Sequence, residues 1–223
     1  MSADRRYSRQ ILHWGESRQQ KIEQATILVA GLGGLGGTLS QLLARAGVGK
    51  LYLVDDGRVD WPDLNRQTLY TEQDIGQLKV DCASRLLQQI NSQITIVPLV
   101  QRIDSTFSCP ADITLAADCL DNYSSRFQLE KGIPDGLFLV HGAIERDQGQ
   151  VLTLRKSLSQ PLHELFAGIE QPQGDIPVTG AAATVISALM ANEIYQVIFG
   201  TPELLNRFLI IGLSDLHFSF LDV

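Results

Sequence analysis

The sequence predicts an α/β fold of the Rossmann-like, doubly wound kind: a mainly parallel sheet with an antiparallel portion toward the C-terminus. Three observations carry that prediction. First, a short apolar run at residues 27–30 feeds a glycine-rich turn, Gly31-Leu-Gly-Gly-Leu-Gly36, which opens a helical stretch. Second, another apolar run at residues 51–54 ends in Asp55 and Asp56. Strand, Gly-x-Gly-x-x-Gly, helix, strand and acidic residue in that order are the sequence form of a nucleotide-binding βαβ unit. Third, apolar runs and helical spacings keep alternating afterwards, as a doubly wound sheet requires.

The elements follow in order. Residues 6–24 set Ile11, Leu12 and Trp14 together and then turn polar at Glu16, Arg18, Lys21 and Glu23. This predicts a helical arm with part of one face buried, on its own domain or against a neighbouring subunit. Residues 27–30 suit a central parallel strand covered on both faces. A helix over 34–46 is expected to end at Gly47 and Gly49, which tolerate the left-handed C-terminal turn. Residues 74–91 carry Ile75, Val80, Ala83, Leu86, Leu87 and Ile90 at helical spacing, and 94–100 read as a strand. A strand at 113–117 ends in Asp118-Cys119-Leu120-Asp121-Asn122, with Asn122 or Ser124 capping a helix through Glu130. Strands are expected at 137–140 and, by its alternation in an antiparallel portion, at 150–154.

Over 155–179 periodicity fails, and Pro161, Pro172, Gly174 and Pro177 mark a long crossing loop. Loops beyond about 12–15 residues are uncommon unless functional or disordered. Residues 180–199 are apolar nearly all round, which predicts a fully buried helix, in the domain or at a subunit interface. Short strands at 208–211 and 217–221 close the chain. Nothing marks a boundary, so residues 1–223 are expected to form one domain, with an arm over 1–25 and the crossing loop over 155–179.

Composition narrows the classes. A net charge of −7 argues against a nucleic-acid footprint, so an anionic ligand needs a local site. No run of 18 uncharged apolar residues favours a membrane span, and the two N-terminal arginines precede no apolar stretch of the secretory kind. A cytoplasmic location is the expectation. Cys82, Cys109 and Cys119 are widely spaced, giving neither a disulfide framework nor a zinc-ligand pattern.

The chemistry-bearing residues cluster by position. In Gly31, Gly33, Gly34 and Gly36 the backbone can turn tightly and approach phosphate, with the helix N-terminus supplying unpaired N–H groups. Asp55, at a strand's carboxyl end, can accept from ribose hydroxyls, while Asp56 reads as solvated or turn-capping. Asn65-Arg66-Gln67 and Lys79 follow, and cations there suit a triphosphate better than a dinucleotide's pyrophosphate. Asp118 and Asp121 flank another strand end and are expected to face the nucleotide. Of the two, Asp121 is the better Mg²⁺ ligand because it lies beyond the strand, with helix capping its competing role.

Six segments, Arg6-Tyr-Ser-Arg9-Gln-Ile11, the glycine turn, 46–55, Asn65-Arg66-Gln67, Gly76-Gln-Leu-Lys79 and Asp118-Cys-Leu-Asp121-Asn122, stand in the order and spacing of the ThiF/MoeB/HesA family. The chain therefore resembles these bacterial relatives of ubiquitin-activating enzymes over residues 6–155 and again over 180–200. The resemblance implies binding of ATP and Mg²⁺, and adenylation of the C-terminal glycine carboxylate of a ubiquitin-like sulfur carrier ending in Gly-Gly. It also implies that Asp55 holds the ribose, Arg66 and Lys79 the triphosphate and Asp121 the Mg²⁺. Arg9 would reach across a homodimer interface to the partner's ATP.

Two departures stand out. Many members hold zinc with two Cys-x-x-Cys pairs, whereas 155–165 and 213–223 contain no cysteine, so zinc is not expected. Many also carry a cysteine before the last long helix, where this chain has Gln173, Gly174 and Asp175. The expectation is an adenylating enzyme without a thioester step. Three readings stay open beside it: adenylation of a small-molecule, peptide or modified-tRNA carboxylate, a non-catalytic ATP-binding scaffold, and a nicotinamide-dependent oxidoreductase.

Overall fold

The computed structural model describes residues 6–171, 174 and 176–223. The first five residues of the expected arm, and Pro172, Gln173 and Asp175 of the crossing loop, lie outside the described residues. Eight strands form one sheet: β1 Thr26–Ala30, β2 Lys50–Val54, β3 Thr95–Leu99, β4 Leu115–Asp118, β5 Phe138–Glu145, β6 Gln148–Arg155, β7 Arg207–Gly212 and β8 His217–Asp222. Their spatial order is β3-β2-β1-β4-β5-β6-β7-β8. The first five are parallel, and β6, β7 and β8 add antiparallel. The mixed sheet agrees with the sequence expectation.

Alternation along each strand sorts side chains to two faces. Ile27, Val29, Leu51, Leu53, Leu115 and Ala117 share one core with the helices Glu16–Gln24, Gly34–Ala46, Lys79–Ile90 and Gly180–Phe199. Leu28, Ala30, Val54 and Ala116 point the other way, toward Leu129 of the helix Tyr123–Gly132 and toward Leu162 and Phe166. Sequence order runs outward in one direction from β1 to β3 and then jumps to β4 on β1's other side. The carboxyl ends of β1 and β4 therefore flank a topological switch point, where open α/β sheets place their ligands.

At two places a single residue decides the local geometry. The helix Gly34–Ala46 ends at Gly47, left-handed with φ 85°. There a Cβ would strike the Tyr7 ring at 2.4 Å. Asn122 caps the helix Tyr123–Gly132 by accepting from the Ser125 N–H.

Four expectations need correction. The arm is two helices, Ser8–Trp14 and Glu16–Gln24, broken at Gly15 with φ 84°. The helix expected from residue 74 begins at Lys79, because Glu72–Asp74 is a 3-10 turn under a Thr71/Asp74 capping box and Gly76 takes φ 80°. The crossing loop contains a short helix, Leu162–Leu165. Finally, Gly180–Phe199 is not fully buried, since Ala181, Thr184, Ala188 and Asn192 form an exposed stripe. That helix is long and apolar enough to cross a membrane by length and composition. Here, though, it packs on β5, β6 and the helix Gly34–Ala46, and its buried Glu193 accepts from Thr153 Oγ1 and the Leu204 N–H.

Candidate active site

The glycine turn is held from all sides. Gly31 adopts φ 87° and donates to the Val54 carbonyl at 2.9 Å. The Leu32 N–H donates to Asp55 Oδ2 at 2.7 Å, and Tyr70 Oη donates to the Leu32 carbonyl at 2.9 Å. A Cβ on Gly36 would lie 1.8 Å from the Gly31 carbonyl oxygen, so helix and turn approach closer than any side chain permits. Gly33 occupies the N-cap without a side-chain cap bond, and the first turn carries no acidic residue. The first-turn N–H groups, with no partner inside the helix, are those a helix start offers to an anion.

Around this turn lies a cavity of about 1080 Å³. Gly31, Gly33, Gly34, Asp55, Asn65, Arg66, Lys79 and Asp121, all named from sequence, line it. Asp55 also organises the turn, because its second oxygen accepts from the Gly57 N–H at 2.7 Å. Asp56 is exposed at the rim. Gly36 lies behind the turn rather than on the wall, against Cys119 Cβ.

The two expected cations converge on one carboxylate that sequence reasoning passed over. Lys79 Nζ is 3.2 Å from Asp63 Oδ2, and Arg66 Nη2 is 4.0 Å from Asp63 Oδ1. Asp63 closes a 3-10 turn, Trp61–Asp63, in a reciprocal capping box with Asp60. Arg66 is further tied by donating to the Pro62 carbonyl at 2.7 Å and to Asn65 Oδ1 at 3.0 Å. The available signal was an Asp three residues before Arg66 in a Pro-containing turn, which suits a capped turn.

Asp118 and Asp121, both expected to face a nucleotide, part company: only Asp121 lines the cavity. Asp121 is exposed and lines the cavity, with Oδ1 accepting from Asn122 Nδ2 at 3.1 Å. Asp118 is fully buried, bonded to His141 Nδ1 at 2.7 Å and to the Leu120 N–H at 3.0 Å. It still belongs to the strand, so its side chain is committed to the interior between β4 and β5. Arg126, also unforeseen, is buried and lines the cavity. A smaller lobe of about 180 Å³ adjoins Asp121 and Arg126 and is walled by Glu145, Gln148 and Gln150. Gln171 and Ile176 of the crossing loop line both spaces.

Arg9 sits exposed on the helix Ser8–Trp14, outside the residues that line its own chain's cavity. Among the described residues no three His, Cys, Asp or Glu side chains cluster as a metal-binding group. Mg²⁺ nevertheless fits the donors present, since it is commonly held by one or two carboxylates plus substrate phosphates. Asp121 is a carboxylate open to the cavity. Burial pushes the Cys109 thiol up to about 12 and raises Cys82 and Cys119 as well, leaving three poor nucleophiles.

The fold is that of a Rossmann-like nucleotide-binding protein, and relatives at 30–37% identity make the chain an enzyme of the adenylyltransferase class. More particularly, the chain belongs to the ThiF family, whose model matches residues 7–223. It is 33% identical to the heterocyst protein HesA of Trichormus variabilis, over 96% of this chain and 83% of that protein. It is 37% identical to the molybdopterin-synthase adenylyltransferase of Salmonella typhimurium, over 88% of this chain and 84% of that one. The solved structure of E. coli MccB with ATP superposes with a TM-score of 0.84 at 19% identity, covering 98% of this chain and 71% of that one, a likeness of fold.

Proposed function

We propose that this protein is an ATP-dependent adenylyltransferase that activates the C-terminal glycine carboxylate of a ubiquitin-like sulfur carrier ending in Gly-Gly. The product is an acyl-adenylate, pyrophosphate is released, and no thioester is formed on this chain. One observation supports the reading above the others: a glycine turn, a helix start, Arg66 and Lys79 line one cavity, and Asp121 lines both it and a smaller lobe. The larger space suits a nucleotide, and the lobe is where a narrow chain end could meet the α-phosphate.

In the reaction a carboxylate oxygen attacks the α-phosphorus, the bond to the bridging oxygen breaks, and its electron pair leaves with pyrophosphate. The attacking group is already ionised at neutral pH, so no general base is required. Charge builds on the phosphate oxygens, and preorganised cations stabilise that arrangement more than the ground state. Lys79 and Arg66, held by Asp63, supply two of them. Asp55 would accept from the ribose while fixing the Leu32 N–H. Mg²⁺ at Asp121, when bound, would neutralise part of the phosphate charge. Arg9 would serve the active site of a second copy in a homodimer, and the cytoplasm is the proposed location. The three buried or half-buried cysteines with raised pKa support a chemistry that ends at the adenylate.

Exchange of labelled pyrophosphate into ATP, with a panel of Gly-Gly carriers, tests this reading. Carrier-dependent exchange is expected, abolished in Asp121→Ala and strongly reduced in Arg66→Ala. Exchange driven by another carboxylate and by no carrier would replace the substrate. Tight ATP binding without exchange under any acceptor would replace the enzyme with a scaffold.

A further inference from the structure

The most deeply buried ionisable side chains among the described residues belong to no step above. Asp118 and His141 are both fully inaccessible and stand opposite each other in the register of β4 and β5. His141 Nδ1 is 2.7 Å from Asp118 Oδ2, and Gln150 Nε2 is 3.2 Å from His141 Nε2. An amide NH₂ only donates, so Nε2 is the acceptor and the imidazole proton lies on Nδ1, donated to the carboxylate. Burial also lowers the His141 pKa against the opposing pull of Asp118, in keeping with a neutral ring.

What Asp118 does with that support is specific. Its other oxygen accepts the Leu120 N–H at 3.0 Å. Arg126 grips the Leu120 carbonyl twice, from Nε at 3.1 Å and from Nη2 at 2.6 Å. Its Nε also lies 3.9 Å from Asp118 Oδ2. Leu120 is therefore held at its N–H and at its carbonyl, and the next residue is Asp121. Beyond it, Asn122 is pinned as the cap of the following helix. Asp121 is thus an exposed carboxylate on a backbone with almost no freedom, and the anchor of that backbone is two strands deep.

We propose that His141 is a positioning residue for metal-bound nucleotide: by holding Asp118 it fixes the Leu120 peptide and so aims the Asp121 carboxylate into the cavity. The inference rests on the adenylation reading in taking Asp121 as the Mg²⁺ carboxylate. A partner residue that merely filled the core would stabilise the fold without affecting how metal changes nucleotide affinity. A positioning residue changes that increment specifically, and removing such outer partners commonly costs about 10–100-fold in metal affinity.

The test is calorimetric titration of ATP into the whole protein, with Mg²⁺ and with chelator, for wild type, His141→Asn, His141→Phe and Asp118→Asn. Asn at 141 keeps a donor near the Nδ1 position, whereas Phe keeps the volume and loses the donor. Asn at 118 keeps the shape but turns one of the two oxygens, which accept separately from Leu120 and His141, into a donor. The wild type should bind ATP more tightly with Mg²⁺. His141→Asn should keep most of that gain, while His141→Phe and Asp118→Asn should lose about tenfold or more of it with metal-free ATP affinity unchanged. If His141→Phe does not fold, Asp118→Asn decides. A full Mg²⁺ gain in Asp118→Asn or His141→Phe overturns the proposal, as does equal loss in His141→Asn and His141→Phe. A wild type with no Mg²⁺ gain would instead remove Asp121 as metal ligand, and this inference with it.

Discussion

Two glycines of the same turn should fail in opposite ways. A methyl at position 36 would sit 1.8 Å from the Gly31 carbonyl oxygen, and ordinary contact begins at 3.4 Å, so the carbonyl would have to retreat by about 1.6 Å. It has nowhere to go. The Gly31 N–H is bonded to Val54, and Gly31 already lies so close to the Cys119 carbonyl that its own Cβ would be 2.8 Å from that oxygen. Overpacking of this kind costs about 1–3 kcal/mol, and each kcal/mol lowers Tm by about 2–4 °C in a chain of this size. Gly36→Ala should therefore melt about 2–12 °C below wild type. At position 33 the nearest atom to a new methyl is Gln67 Nε2 at 3.7 Å, an ordinary contact, and the residue lines the cavity. Gly33→Ala should melt within about 2 °C of wild type yet lose the ATP-induced rise in Tm, because the methyl stands where phosphate must approach. Thermal melts with and without ATP read both effects. Gly36→Ala melting with the wild type, or Gly33→Ala keeping its full ATP shift, would refute this division of labour.

Further outcomes follow from the same geometry. On the proposed role of Lys79, Lys79→Ala removes a charge-assisted contact with the triphosphate worth about 1.5–3 kcal/mol, so ATP affinity should fall by roughly 10–150-fold. It also leaves Asp63, 3.2 Å from Lys79 Nζ in the wild type, facing the phosphates without its cation. In an Asp63→Asn background the same change should cost less, and a double-mutant cycle of ATP binding that shows simple additivity would remove the Asp63 role. His141 supplies a pH test. Its pKa is lowered in the folded protein from the usual 6.5, chiefly by burial, so below that value the unfolded chain binds a proton the native one refuses. Stability is then complete above about pH 6.5 and declines as pH falls toward the folded value, by at most about 1.4 kcal/mol per pH unit. Urea midpoints at pH 5–7 should show this component in wild type and lack it in His141→Asn, and an unchanged profile in the variant would exclude His141 as its source.

The sequence by itself determined the βαβ frame, the glycine-rich turn, the Asn122 cap, the Gly47 stop and the cations Arg66 and Lys79. Each is a local matter: an apolar period, a left-handed glycine, or a charge at a known distance from a strand end. The resemblance added the nucleotide and the reaction. Tertiary structure alone decided which carboxylate faces which side. Asp118 and Asp121 look alike in sequence, but Asp118 still belongs to β4 and turns inward to His141, whereas Asp121 is past the strand and turns to the cavity. The partners of Asp63 and Arg126 were unreadable for the same reason. Asp63 matters because residues 3 and 16 positions further on return to it, and Arg126 because its helix brings it back over Leu120. Period and composition tell a residue's element and face, but a polar side chain's partner depends on which strands become neighbours. In this chain that was set when the chain left β3, crossed back past β2 and β1, and paired β4 with the far side of β1.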